Sequence, residues 1–151
     1  NIIQRQRPIL SKQNAQTVRY EIQDHFIRFW FNYFDRHRSL IEVKNFAALQ
    51  AIVKADYPTF SGKVLELYFK QQFAESMEYR IIGSYWESKE NQNEIDIVAL
   101  KLKKYQAVVS EVKRQKKNFK PELLASKVTH LKHKLLPRYS IETRCLGLED
   151  M

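Results

Sequence analysis

Only three glycines, Gly62, Gly83 and Gly147, occur in 151 residues. They are too scattered to build GxxxxGK[ST] or GxGxxG, so the chain holds no glycine loop of those kinds and no nucleotide site resting on one. Its single cysteine, Cys145, excludes an internal disulfide framework and any multi-cysteine zinc site. One thiol suits a reducing, cytoplasmic setting. No apolar run approaches the roughly 18 residues that a membrane span needs, and no signal peptide is visible, so no membrane partner is expected. Repeats and low-complexity linkers are also missing. Acidic residues are in deficit: 17 against 26 Lys and Arg, for a formal net charge of +9. A basic surplus favours polyanionic partners but identifies none by itself.

What is present can build a core, since 44% of residues are hydrophobic and 13% aromatic. Residues 1–18 are polar and basic with Pro8, and read as an irregular arm. Asp24 is a candidate N-cap. It precedes "HFIRFWFNYFDRH", a helix apolar on nearly all sides, which implies a core or an interdomain surface rather than a ligand box. "VKNFAALQAIVKA" has helical spacing, "YPTF" is expected to break it, and Thr59 or Ser61 is expected to cap a third helix over 61–75. The period then changes. Residues 79–88, 94–102 and 105–113 read as strands, with a polar turn at 90–93. A basic amphipathic helix follows over 120–136, with Pro121 in its first turn, and a fourth strand over 139–148. The expected fold class is α/β (α+β), a mixed sheet flanked by helices behind an N-terminal helical segment.

The chemistry-bearing stretch is "NEIDIVALKLKKYQAVVSEVKRQ", residues 93–115. A turn centred on Lys103-Lys104 sets Leu102 opposite Tyr105, and the same register puts Asp96 opposite Glu111 and Glu94 opposite Lys113. Alternation places Ile95 with Ile97 and Ala99, and places Val109, Glu111 and Lys113 on one face. Cβ atoms of opposed residues lie about 5 Å apart, so two facing carboxylates repel unless something compensates. A divalent cation is the natural compensation, because Mg²⁺ takes a few carboxylates and keeps several waters. Lys113, on the face of Glu111, could orient or deprotonate a bound water or steady charge developing on a phosphate. A solvated acidic face is the competing reading.

These residues resemble the PD-(D/E)XK nuclease superfamily. Its helix Glu would be Glu66 in "GKVLELYF", its strand Asp would be Asp96, and its (D/E)-x-K would be Glu111 with Lys113 in "SEVKR". The order helix, three strands, helix, strand over roughly 60–150 fits a restriction-endonuclease-like core. Taken with "YEIQDHFIRFWFNYF", "GSYWE" and the closing "LGLEDM", the chain resembles the C-terminal part of prokaryotic archaeal-type ATPases, in which a P-loop domain and a winged-helix segment precede a nuclease-like domain. The resemblance implies three segments: 1–18 as the tail of the winged-helix segment, 19–58 as a helical linker, and 59–151 as the nuclease-like domain. It implies Mg²⁺ or Mn²⁺ held by Asp96, Glu111 and Glu66. It makes Asp96, Glu111, Lys113 and Glu66 catalytic, Gln115 an accessory residue and Glu94 an alternative carboxylate to Asp96.

ATPase activity is expected only outside this chain, which reads as part of a longer protein. Its expected partners are DNA, its own N-terminal ATPase domain and further copies of itself. "KRQKKNFK" directly follows the expected site, so Arg114, Lys116, Lys117 and Lys120 are the candidate DNA contacts, with Lys127, Lys132, Lys134 and Arg138 further along. A non-catalytic binding module of the same fold is the alternative. His130 and His133 read as a solvated helix face, Trp30 and Trp86 as packing residues, and Cys145 as a buried strand residue.

Overall fold

Runs such as Ile97–Leu100 and Ala107–Val109 carry apolar residues at consecutive positions. That pattern suits strands covered on both faces. In a computed structural model that describes residues 2–12, 17–87 and 93–151, they form the centre of a sheet. The chain divides into two compact units, one of residues 1–6 and 19–64, the other of residues 7–18 and 65–151. This division falls within residues 1–18 and again between Val64 and Leu65.

In the first unit, β1 (Ile3–Gln6) pairs antiparallel with β2 (Arg19–Ile22). The sequence suggested no strand in this arm. β1 is mostly exposed and polar, so it lacks the alternation that marks a strand. Asp24 does cap α1 (His25–Phe29), its Oδ1 accepting from the Ile27 amide at 2.8 Å. The helix then widens into a π-helical turn over Trp30–Asp35, and α2 (Arg38–Glu42) follows. Tyr33 is buried, donates to Asp56 Oδ2 at 2.5 Å, and has its phenol pushed up to about 12 by burial and by that carboxylate. Phe29 meets Phe60 edge-on at 5.6 Å. Phe26, Trp30 and Phe31 are exposed within the described residues, while Tyr33 of the same stretch is buried; Trp30 stacks on Phe34.

α3 runs unbroken over Phe46–Glu75. The expected break at "YPTF" does not occur, and Thr59 and Ser61 lie inside the helix rather than at a cap. Pro58 removes one amide donor and crowds the preceding turn. Ser61 instead returns its hydroxyl to the Tyr57 carbonyl at 2.6 Å, as serines inside helices do.

The second unit is built on β3 (Tyr79–Tyr85), β4 (Ile95–Lys101), β5 (Gln106–Val112) and β6 (Ser140–Leu146), in that order across the sheet. The first three are antiparallel, and α4 (Pro121–Leu135) returns the chain so that β6 joins β5 in parallel. This is the mixed α+β sheet expected from the sequence. Leu65, Phe69 and Phe73 of α3 pack on one face, against Ile97, Ala99, Val108 and Val112. Leu124 and Leu131 of α4, with Leu136, pack on the other, against Val98, Leu100, Ala107 and Val109. Ile9 joins this second core where its side chain lies against Gly83. A Cβ at Gly83 would come 3.2 Å from that of Ile9, so the close approach favours glycine. The polar turn expected at 90–93 falls outside the described residues except for Asn93.

Candidate active site

The expected hairpin register is the observed one. Ile97 pairs with Ser110, Val98 with Val109, Ala99 with Val108 and Leu100 with Ala107. The turn is wider than two residues and uses Tyr105 at φ 59, but its length keeps the same parity.

The ladder between β4 and β5 stops one step before Asp96 and Glu111 would face each other. On the β3 side, Gly83 pairs with Val98 and Tyr85 with Ile95. Three residue steps of β4 thus run against two of β3, which is a bulge at Asp96. The bulge corrects the facing read from alternation: Ile95 belongs with Val98 and Leu100, not with Ile97 and Ala99. It also re-aims Asp96. The Asp96 Oδ2 accepts from the Val112 amide of β5 at 2.8 Å, so a carboxylate occupies the place where a ladder hydrogen bond would continue. Its own carbonyl accepts from Ser84 Oγ at 2.8 Å, and Lys70 Nζ of α3 donates to that hydroxyl at 2.5 Å. Backbone and side chain of Asp96 are therefore both held.

Asp96 has its carboxyl pushed up to about 6. Burial is the largest cause, followed by the negative charge of Glu66; the Val112 amide opposes them, Glu111 adds to them and Lys113 opposes. Three carboxylates thus bear on one point where β4 leaves β5. Glu111 is almost fully buried and pairs with Lys113, whose Nζ lies 2.8 Å from its Oε1. Burial pulls the Lys113 ammonium down, but the hydrogen bond and charge of Glu111, with the charge of Asp96, leave it raised. Lys113 is accordingly a cation at neutral pH.

Glu66, Glu111 and Lys113 all act electrostatically on Asp96, and Glu111 pairs directly with Lys113. Gln115 is exposed and opens the short 3₁₀ turn Lys116–Asn118. Of the candidate DNA contacts, Lys117 and Lys120 are exposed, Arg114 is half-buried, and Lys116 is tied to Asp150 at 2.7 Å. Cys145 is half-buried rather than buried. Trp86 packs as expected. His130 is not merely solvated: with Lys134 and Tyr85 it holds Glu87 Oε1, at 2.8, 2.7 and 2.6 Å, and these partners keep the Glu87 carboxyl well below its usual range.

One basic residue, expected only among the DNA contacts further along, lies at the site itself. Lys127 of α4 reaches the Glu111 Oε1 at 3.7 Å, with a side chain 13% exposed. It sits three residues after Leu124 and four before Leu131, on the stripe that covers the sheet. A lysine in the apolar stripe of an amphipathic helix was the available signal.

Among the described residues, no three of His, Cys, Asp and Glu are gathered closely enough to form a metal-binding group. Two carboxylates completed by water and by a substrate phosphate are nevertheless an ordinary donor set for Mg²⁺. Asp96 and Glu111 suit that arrangement chemically, because a divalent charge would relieve the like-charge crowding that raises Asp96.

A family model described as "Archaea bacterial proteins of unknown function", DUF234, matches residues 30–126. The chain belongs to this family. The match includes Glu66, Asp96, Glu111 and Lys113. The chain is also 34% identical over 118 residues to the uncharacterized protein MJECL04 of Methanocaldococcus jannaschii, an alignment covering 74% of this chain and 26% of that protein. It thus spans about a quarter of the relative's length. No solved structure matches it. No described helix is long and apolar enough to cross a membrane.

Proposed function

We propose that this DUF234 chain carries a PD-(D/E)XK-type site for Mg²⁺- or Mn²⁺-dependent hydrolysis of DNA phosphodiesters. The observation that supports it best is the bulge that hands the Val112 amide to the Asp96 carboxylate while the charges of Glu66 and Glu111 bear on the same group. A fold gains nothing from crowding acids around a desolvated carboxylate, so the arrangement points to a positively charged ligand.

In this reading Asp96 and Glu111 hold the ion, and Glu66 completes the set directly or through water. The ion, when bound, would supply Lewis-acid chemistry to the phosphate and the attacking water. The chain's own share follows from its geometry. The Val112 amide and the Lys70–Ser84 pair fix Asp96, so its orientation is set before substrate arrives. Lys113 is an ammonium, so its role is to donate to a phosphoryl oxygen and offset charge developing there, rather than to take the proton of the water. The exposed Lys117 and Lys120 extend positive charge away from the site along the path of a nucleic acid backbone. The ATPase context is part of the same proposal: a P-loop domain elsewhere in a longer protein would couple nucleotide hydrolysis to this one, in the cytoplasm, with self-association of the assembly.

A second reading rests on Glu111. Lys113 and Lys127 already neutralise it without any metal, which is what a non-catalytic DNA- or protein-binding module would retain. Incubating the chain with a labelled DNA panel in Mg²⁺, Mn²⁺ and chelator separates the two. Cleavage that needs metal and is lost in Asp96→Ala and Lys113→Ala supports the hydrolase. Binding with no strand cut in either metal supports the module.

A further inference from the structure

Lys127 is placed where α4 should carry an apolar side chain. Leu124 and Leu131, its neighbours on the stripe, are 1% and 0% exposed. Placing an ammonium there costs more than an aliphatic residue would, unless its charge and its donors are used. Its one close partner among the described residues is Glu111 Oε1, at 3.7 Å. That distance is within ion-pair range but beyond a hydrogen bond. The same oxygen is already engaged by Lys113 at 2.8 Å. Lys127 therefore feels the site's negative charge without spending its three N–H donors on it. Its backbone is also fixed, in the middle of a 15-residue helix anchored to the sheet by those two leucines.

We propose that Lys127 is a second phosphate-binding lysine, which donates to a non-bridging oxygen of a nucleic acid phosphate entering at Glu111. Lys113 stays hydrogen-bonded to Glu111, while Lys127 supplies the donors that Glu111 leaves unused. A helix-borne lysine and a strand-borne lysine then grip the phosphate from two elements, which fixes its orientation better than either point charge alone. The inference rests on the phosphodiester reading of the site, but it concerns binding and does not need cleavage.

The test is the affinity of the chain for a labelled DNA duplex in chelator, across a series of salt concentrations, for wild type, Lys127→Met and Lys127→Arg. Methionine keeps the length and apolar stem of the side chain and suits the stripe, and circular dichroism and urea unfolding check that the fold is kept. The expected result for Lys127→Met is a roughly tenfold loss of affinity, as for a charge-assisted hydrogen bond. The slope of log affinity against log salt should fall by about 0.9, the signature of one phosphate contact. Lys127→Arg should restore both. A lysine that only buttresses Glu111 would change stability and leave the salt slope alone. An unchanged slope in Lys127→Met overturns the inference, as does a wild-type chain that binds no DNA in chelator. If metal-dependent cleavage persists while the slope is unchanged, the hydrolase stands and only the role of Lys127 falls. If the slope changes and nothing is ever cut, Lys127 keeps its role and the hydrolase falls.

Discussion

Replacing Asp96 with asparagine should stabilise the fold at neutral pH and abolish the activity proposed for it. Asparagine is nearly isosteric, and its carbonyl oxygen can still accept from the Val112 amide. What disappears is a desolvated negative charge beside Glu66 and Glu111. The folded carboxyl titrates at about 6, against 3.8 for the exposed group. Above pH 6 both folded and unfolded chains carry the charge, and the full penalty is present. Between 6 and 4 the folded chain takes up a proton that the unfolded chain does not, so stability rises as pH falls. Below 4 both are protonated and the penalty is gone. A shift of about two units corresponds to about 3 kcal/mol, an upper figure for a group not wholly removed from solvent.

Asp96→Asn should therefore exceed wild type by up to about 3 kcal/mol at pH 7–8, or several °C in Tm, with the gap closing toward pH 4. Urea unfolding of both chains at pH 4, 5, 6, 7 and 8 in chelator measures it, and groups unaffected by the substitution cancel in the difference. Millimolar Mg²⁺ should then raise the stability of wild type more than that of the variant. A variant less stable than wild type at pH 7, or a gap independent of pH, would refute the electrostatic argument for the site.

Three further outcomes follow from the geometry. Lys113→Met should leave DNA affinity in chelator within about tenfold of wild type yet remove detectable cleavage in Mg²⁺, as measured on an end-labelled duplex, because its ammonium acts most where charge develops. Ser110→Ala should be neutral or stabilising by about 1 kcal/mol in urea unfolding, since the Ser110 hydroxyl is fully buried and has no hydrogen-bond partner among the described residues. A loss beyond about 1 kcal/mol would mean the hydroxyl is satisfied. Leu131→Ala should cost about 2–5 kcal/mol by the same measurement, because Leu131 is completely enclosed between α4 and the sheet.

The hairpin was readable because its register depends on parity, and an even connection between two apolar runs admits few alternatives. The run of buried positions in β4 and β5, and the period of α4, were likewise local signals. The bulge at Asp96 was not readable. It arises where β3, with Gly83 pressed on Ile9 and Ser84 bonded to Asp96, takes a different count from β5, and those contacts are distant in sequence. The unbroken α3 is similar: Pro58 is locally unfavourable, but Tyr33, distant in sequence, meets the helix on either side of it, at Asp56 and Phe60. β1 shows no alternation because its side chains are mostly exposed, so its pairing with β2 could not be inferred. Lys127 was different. Its place between Leu124 and Leu131 was visible, and a cation on a buried stripe is a question that a sequence can raise without answering.

The most direct measurement is single-turnover incubation of a labelled DNA duplex with the wild-type chain and with Asp96→Asn, each first shown to be folded, in Mg²⁺, in Mn²⁺ and in chelator. Metal-dependent strand cleavage by wild type, absent from a variant that is equally or more stable, is the predicted result. No cleavage by wild type in either metal, or cleavage retained by Asp96→Asn, would contradict the assignment of this site as a phosphodiester hydrolase.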